Sequence, residues 1–450
     1  MSRRSSLQGL WSSRRSFVLA ATGAAVGLGN IWKFPYLAGI NGGGAYVWVY
    51  LGCILAIGLP IMIAEVLLGR RGRRNPIDGM RLLSEEETGG GWWRAVGWAG
   101  VATGILILSY YSVVAGWALD YTLRAAINLF DRGELAQAGR AFDQLRNAPL
   151  RQVLWHTAFM AMSCWIVAKG VKGGLERTVG YLMPLLFLLL LVMVGYAAGT
   201  GGFAEAVDFL FHPHAGLDGR TALVALGNAF FTLSLGMGVM MAYGAYLPEG
   251  ISIGRSAIAV AVADTIVAVL AGLAIFPVVF AQGMQPALGP GLLFRTLPAA
   301  FLQMPGGSIF LLVFFILLVC AAWASSIGLL EPAVAWLVER HAIPRARAVL
   351  IIGAIAWVIG FGTVFSFNRW ADVKVFGQTI FQNLDFVTTA ILLPLVGMLI
   401  ALFAGWVMSK SSSADELAEG SLVGYRVWRF AIRFVAPLGI IAIVIHKLVR

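Results

Sequence analysis

Residues 23–36 read GAAVGLGNIWKFPY, with Gly23, Gly27 and Gly29 followed closely by Asn30, Lys33 and Pro35. Glycine and proline are poor material for a continuous helix, yet this stretch lies inside an apolar segment. A helix unwound at membrane depth leaves free N–H groups at one end and free C=O groups at the other. The N–H end suits a carboxylate and the C=O end suits a small hard cation. Together they suit a zwitterionic amino acid and a sodium ion. A second stretch, FFTLSLGMG at 230–238, repeats the pattern, with Gly236 and Gly238 beside Thr232 and Ser234. Glycines also serve close helix packing. The pairing of two interrupted segments, each with adjacent hydroxyl or amide side chains, favours a site.

Other polar residues sit in apolar runs. Asp264, in VAVADTIVAVLAG, is an intramembrane carboxylate. Such a group is a functional hypothesis by default, as cation ligand or proton carrier. Glu65, in GLPIMIAEVLLGR, is expected to accept hydrogen bonds from freed N–H groups of a broken helix at least as readily as to bind an ion. Ser325 and Ser326 offer hydroxyl oxygens, and Tyr110 and Tyr111 offer phenols. Lys33 and Asp385 are candidates for a charge pair across a cavity mouth. The three cysteines, Cys53, Cys164 and Cys320, are isolated, and His212 and His214 flank Pro213 without metal-ligand spacing.

The elements that must hold these residues are membrane helices. The chain has 450 residues, 59% hydrophobic and 12% charged, with a mean hydropathy of +0.82. Apolar runs near 16–39, 44–68, 97–127, 153–168, 179–198, 221–247, 256–281, 307–338, 348–367, 376–408 and 427–447 predict about eleven spans. The polar pieces are short: 75–91, 128–151 and a Ser-rich linker at 409–421. The net charge of +11 is topological. Arg3, Arg4, Arg14 and Arg15, then Arg70, Arg71, Arg73, Arg74 and Arg81, then Lys169, Lys172 and Arg177, then Arg340, Arg345 and Arg347 occupy alternate loops. The positive-inside rule puts that side, and the N-terminus, in the cytoplasm. Loop 128–151 is mixed, with Asp131, Glu134 and Asp143 beside Arg132, Arg140 and Arg146. Nucleic acid is not an expected partner; the lipid bilayer is. SSRRSFVLAA at 12–21 imitates an export signal but lacks a small-residue cleavage site. The two interrupted segments are five spans apart, which inverts the second copy in the membrane, and such pairs point to a transporter's midplane site. No nucleophile–base pair marks an enzyme.

GAAVGLGNIWKFPY, NGGGAY, GLPIMIAEVLLGR, GLER, FFTLSLGMG and SSIGLLEP, in that order, resemble the neurotransmitter:sodium symporter family over nearly the whole chain. The LSLGMG variant looks most like bacterial transporters of hydrophobic amino acids. The resemblance implies an all-α polytopic fold forming one transporter domain over 1–450, with helices 1 and 6 broken. Two inverted five-helix repeats would cover about 14–200 and 219–408, and a final helix about 422–447. It implies sodium-coupled import of neutral hydrophobic or aromatic L-amino acids by alternating access, from an inner (plasma) membrane. A proton-coupled transporter, or a non-transporting receptor or channel of the same fold, are the alternatives.

Carried over residue by residue, the resemblance implies a first sodium site at Ala25, Asn30, Thr232 and Asp264. It implies a second at Gly23, Val26, Ala321 and Ser325. Ala324 stands where the family usually carries Thr or Asp, so the cofactors are one or two sodium ions. Asp264 supplies a negative charge where many relatives have Asn, and Ala268 replaces a glutamate of some bacterial members; chloride is therefore not expected to be required. The implied substrate site comprises Ala24, Ala25, Leu28, Gly29, Ile107, Tyr111, Phe231, Thr232, Ser234, Met237, Ser325 and Leu329. Gly27 falls where monoamine transporters carry Asp, which favours an amino acid. Lys33 and Asp385 match an outer gate, and Trp11, Tyr246 and Glu339 an inner one, with Gln8 in place of the usual Arg.

Overall fold

The computed structural model describes residues 4–127, 135–213, 219–284, 291–417 and 422–448. Arg3, Asp131, Arg132, Glu134 and His214 lie outside the described residues. The architecture is all-helical: α1 (Arg14–Ala25), α2 (Gly29–Ile40), α3 (Gly44–Gly72), α4 (Arg94–Ala126), α5 (Pro149–Ala168), α6 (Val171–Ala198), α7 (Gly219–Thr232), α8 (Val239–Ala245), α9 (Ile253–Phe280), α10 (Gly307–His341), α11 (Arg345–Ser366), α12 (Ile380–Val407) and α13 (Leu422–Ile445). Among the described residues eight helices are long and apolar enough to cross a membrane, or nine with α1 and α2 taken as one span bent by 49°. The expected runs at 153–168 and 221–247 fall short of that measure. The first became α5, which carries Arg151, Gln152 and His156, and the second is divided into α7 and α8, of 14 and 7 residues. With these the segments number the eleven expected. The long runs at 97–127 and 307–338 each form a single helix.

The polar pieces are more ordered than their composition suggests. Pro76–Thr88 is a helix because the Asn75 side chain accepts from the N–H groups of Ile77 and Asp78, and Gly89 at φ 73° closes it. Leu135–Asn147 and Lys410–Leu417 are also helical.

Both interrupted segments break as their glycines require. α1 ends at Val26, whose backbone is extended, and its direction changes through Gly27 and Leu28 before α2 begins. Between α7 and α8, Ser234, Gly236 and Gly238 take φ of 52°, 72° and 74°. A side chain at Gly236 would also stand 2.9 Å from the Leu393 carbonyl oxygen. Glycine there is a steric necessity.

Helix packing reproduces a pseudo-symmetric pairing. α1 and α2 pack on α9, while α7 and α8 pack on α3. α4 meets α10 directly. α4 lies against α5 and α11, as α10 lies against α11 and α5. α6 packs on α9 and α10, as α12 packs on α3 and α4. The two broken segments therefore face each other at the centre of the bundle.

Candidate ion and substrate site

Three backbone carbonyls at the end of α1 converge on one hydroxyl. Ser325 Oγ, on α10, lies 3.3, 3.0 and 3.1 Å from the carbonyl oxygens of Gly23, Ala24 and Val26. A hydroxyl has a single proton and can satisfy only one of them. The others remain as oxygen ligands at the negative end of a helix. Ala321, one turn earlier on α10, is buried beside them. The wall towards α6 is hydrocarbon: a side chain at Gly23 would meet Met183, Val179 and Ala324 at 3.2, 3.3 and 3.5 Å.

A second cluster joins the break to α9. Asn30 Nδ2 donates to Asp264 Oδ1 at 2.7 Å and to the Asp264 main-chain oxygen at 3.1 Å. Asn30 Oδ1 accepts from the Gly27 N–H at 3.2 Å. The amide is thus oriented at both ends. Tyr50 of α3 completes the cluster, its hydroxyl 2.9 Å from Thr232 Oγ1 and 3.4 Å from Asp264 Oδ2. Asn30, Thr232, Asp264 and Tyr50 are all fully buried. Asp264 has hydrogen-bonding neighbours but, among the described residues, no basic side chain paired with it. A buried carboxylate in that condition offers a place for a cation.

The Tyr111 hydroxyl accepts the Leu28 N–H at 3.1 Å, so a phenol and a freed backbone donor share one spot. A side chain at Gly27 would overlap both Tyr111 and Ser325. The position is therefore closed to the Asp that the resemblance associates with monoamines. Ser234 Oγ donates to the Ala24 carbonyl at 2.8 Å, which links the two breaks. Gly29 abuts Phe231 and Thr232, Gly328 abuts Ala24, and Gly104 on α4 faces Met237 and the Leu329 backbone. Ala25, Ile107, Tyr111, Phe231, Met237 and Leu329 keep 3, 1, 3, 8, 2 and 5% exposure in the middle of the bundle, where Asn30, Thr232 and Asp264 have none. These residues pack around the two breaks, with apolar side chains on one side and the polar groups of Asn30, Thr232 and Asp264 on the other.

Contacts tie the bundle together on both sides of this centre. On one side Lys33 Nζ is 2.7 Å from Asp385 Oδ1 and 4.8 Å from the centre of the Phe231 ring. On the other, Trp11 donates from Nε1 to the Tyr243 carbonyl at 3.0 Å and from its backbone N–H to Tyr246 at 2.9 Å. Glu339 is not the partner of Tyr246. It accepts from Asn75 at 2.7 and 2.9 Å, while the Tyr246 hydroxyl donates to Glu331 at 2.8 Å. Glu331 also accepts from Arg345, which reaches Gln8 Oε1 at 3.2 Å. Arg4 pairs with Glu86 at 3.3 Å. Glu65 takes the place sketched from sequence: its Oε1 accepts the Gly236 N–H at 2.7 Å within the α7–α8 break.

Sequence reasoning missed Tyr50, Glu331 and Arg345 as parts of these clusters. Glu331 had a signal, an acid at the end of the apolar run SSIGLLEP. Tyr50 had none, being one of several aromatic residues in a hydrophobic segment.

Comparison with known proteins agrees with this geometry. The profile of the sodium:neurotransmitter symporter family matches residues 8–131 and 124–450. An uncharacterised sodium-dependent transporter of Bacillus subtilis is 38% identical over 440 residues, covering 97% of each chain. The sodium- and chloride-dependent GABA transporter 2 of Rattus norvegicus is 24% identical over 498 residues, covering 98% of this chain and 80% of its own. The crystal structure of MhsT in complex with L-phenylalanine superposes with a TM-score of 0.91 at 40% identity, covering 97% of this chain and 99% of that one.

Proposed function

Since the chain belongs to the sodium:neurotransmitter symporter family, we propose that it imports neutral hydrophobic or aromatic L-amino acids together with sodium. The observation that carries the reading is the adjacency of two unlike sites. Asn30 and Asp264 form an anionic oxygen cluster, and two residues before Asn30 the chain turns its Leu28 N–H towards Tyr111. A substrate carboxylate bound at Leu28, Gly29 and Tyr111 reaches the ion held by Ala25, Asn30, Thr232 and Asp264. Each ligand then strengthens the binding of the other, and the enhancement is mutual by linkage. The amine takes the carbonyls at the end of α1 and in the α7–α8 break, with Ser234. Ala24, Ile107, Phe231, Met237 and Leu329 surround the substrate side chain. Methionine adapts its shape, which suits several apolar substrates. The complex of MhsT with L-phenylalanine supports this class.

The charge of Asp264 makes chloride unnecessary in this reading. Ala324 leaves the second ion, at Gly23, Val26, Ala321 and Ser325, one side-chain oxygen short, so one or two sodium ions accompany each substrate. The arginine-rich loops put the N-terminus and the Trp11 end in the cytoplasm of a plasma-membrane protein. The repeats run over about 14–200 and 219–408. The test is uptake of L-phenylalanine and L-leucine into proteoliposomes under a sodium gradient. Accumulation is expected with sodium outside and none when potassium replaces it throughout. Equal uptake in both refutes sodium coupling. Uptake driven by a pH gradient in sodium-free buffer instead selects a proton-coupled transporter, a second reading favoured by the hydrocarbon wall at Ala324.

A further inference from the structure

At the Trp11 end of the bundle, α3 finishes in Arg70, Arg71, Gly72 and Arg73. These arginines turn inwards. Arg70 donates from Nη1 to the Ile251 carbonyl at 2.6 Å. The same guanidinium donates from Nε to Glu416 Oε2 at 2.6 Å and from Nη2 to the Glu416 main-chain oxygen. Arg73 Nη1 holds the carbonyls of Ala245 and Leu247 at 3.2 and 2.6 Å. The end of α3 therefore grips two things. One is the turn leaving α8, which contains the gate residue Tyr246. The other is Lys410–Leu417, the helix between α12 and α13. Arg71 adds a bond to the Ser412 carbonyl at 3.2 Å. From the far side, Arg429 of α13 donates to Ser413 Oγ at 2.7 Å.

Beside this junction lies a cavity of about 910 Å³, lined by charged and hydroxyl side chains that include Glu87, Glu249, Ser409 and Asp415. The contact between Lys410–Leu417 and the rest of the molecule is thus polar and not fully packed. Lifting this helix breaks charge-assisted bonds whose groups water can then satisfy, and it unpacks little apolar surface. The bonds are directional, as a releasable contact requires, and include the Tyr425 hydroxyl against Ser413 Oγ at 2.9 Å and the Lys410 carbonyl at 3.2 Å. The Arg70–Glu416 pair is deeply placed, with side-chain exposures of 4 and 14%, so losing one partner strands a charge and has a measurable effect.

We propose that Lys410–Leu417 is a strap that holds the inner gate shut through the chain Glu416, Arg70 and Ile251. It must lift from α3 before the Trp11 end of the transporter opens. The proposal rests on the alternating-access reading, but its test needs no substrate. Ser256 on α9 is buried beneath Arg14 of α1, whose Nε donates to its hydroxyl at 3.2 Å. In a background with Cys53, Cys164 and Cys320 replaced by alanine, Ser256→Cys reports when α1 leaves α9. The readout is its rate of labelling by a water-soluble maleimide in sodium buffer. Glu416→Gln is expected to speed labelling on the order of tenfold, the effect of about one charge-assisted hydrogen bond. Glu416→Asp keeps the charge with a shorter reach and should label at an intermediate rate; it serves the test if the Gln variant does not fold. Asp415→Asn, on the same helix but 66% exposed and 3.9 Å from Arg71 rather than bonded to Arg70, should accelerate labelling far less than Glu416→Gln. A parental rate in Glu416→Gln, or equal acceleration by Asp415→Asn, overturns the strap. Glu331→Ala, which removes the acceptor of both the Tyr246 hydroxyl and the Arg345 guanidinium, is the companion variant. Acceleration there without acceleration in Glu416→Gln refutes the strap alone, while a parental rate in both refutes the inner gate as well.

Discussion

In the proposed function, Asp264 is the residue on which the chemistry turns. Its carboxylate sits fully buried between Asn30, Thr232 and Tyr50. A charged acceptor contributes about 1.5–3 kcal/mol more than a lost contact to water, which is roughly one to two decades in affinity. Asp264→Asn keeps the shape and removes the charge. Apparent sodium affinity, read from sodium titrations of thermal stability in chloride-free buffer, should fall about 10–100-fold. Chloride should restore part of it if the negative charge is what matters. An unchanged sodium titration would make Asp264 a structural residue. Ser325 stands in contrast: its one proton lies among three carbonyls and can satisfy only one of them, so it marks an oxygen-rich helix end with no formal charge.

At the scale of elements, the breaks need their own support. A broken helix leaves backbone donors that water cannot reach. Glu65 on α3 answers one of them, the Gly236 N–H, while its second oxygen has no hydrogen-bond partner. The side chain thus acts as a fixed acceptor for the α7–α8 turn. Glu65→Ala should lower stability by roughly 1–3 kcal/mol, the cost of a buried unpaired donor. Glu65→Gln retains an acceptor oxygen and should lose much less. Thermal unfolding of the detergent-solubilised protein separates the two. Equal losses would show that the charge, not the acceptor, is needed.

For the whole molecule, both ends of the central region are held by cross-bundle contacts. Lys33 and Asp385 are joined on one side, and Trp11, Tyr243, Tyr246, Glu331 and Arg345 on the other. Ligands that bind the native state stabilise it by mass action. Sodium should raise the unfolding temperature over potassium. L-phenylalanine should raise it further only when sodium is present; sodium at about 100 times its dissociation constant contributes about 2.7 kcal/mol. An equal shift by L-phenylalanine in potassium would show that the two sites are not coupled.

The sequence alone was enough for the class of molecule, because membrane helices announce themselves by length and apolarity. It also located both breaks, since glycine most readily takes the positive-φ backbone that Gly236 and Gly238 adopt. Asp264 stood out because an acid in an apolar run is costly. What joins these residues was decided by packing across the bundle. Asn30 and Asp264 are 234 residues apart, Tyr50 and Thr232 are 182 apart, and Arg70 and Glu416 are 346 apart. Family resemblance anticipated the first pair but not Tyr50, which sequence could not tell from its aromatic neighbours. Nor could it choose between Glu339 and Glu331 for Tyr246. Both acids lie on α10, and only the direction in which each turn of that helix faces sends one to Asn75 and the other to the gate.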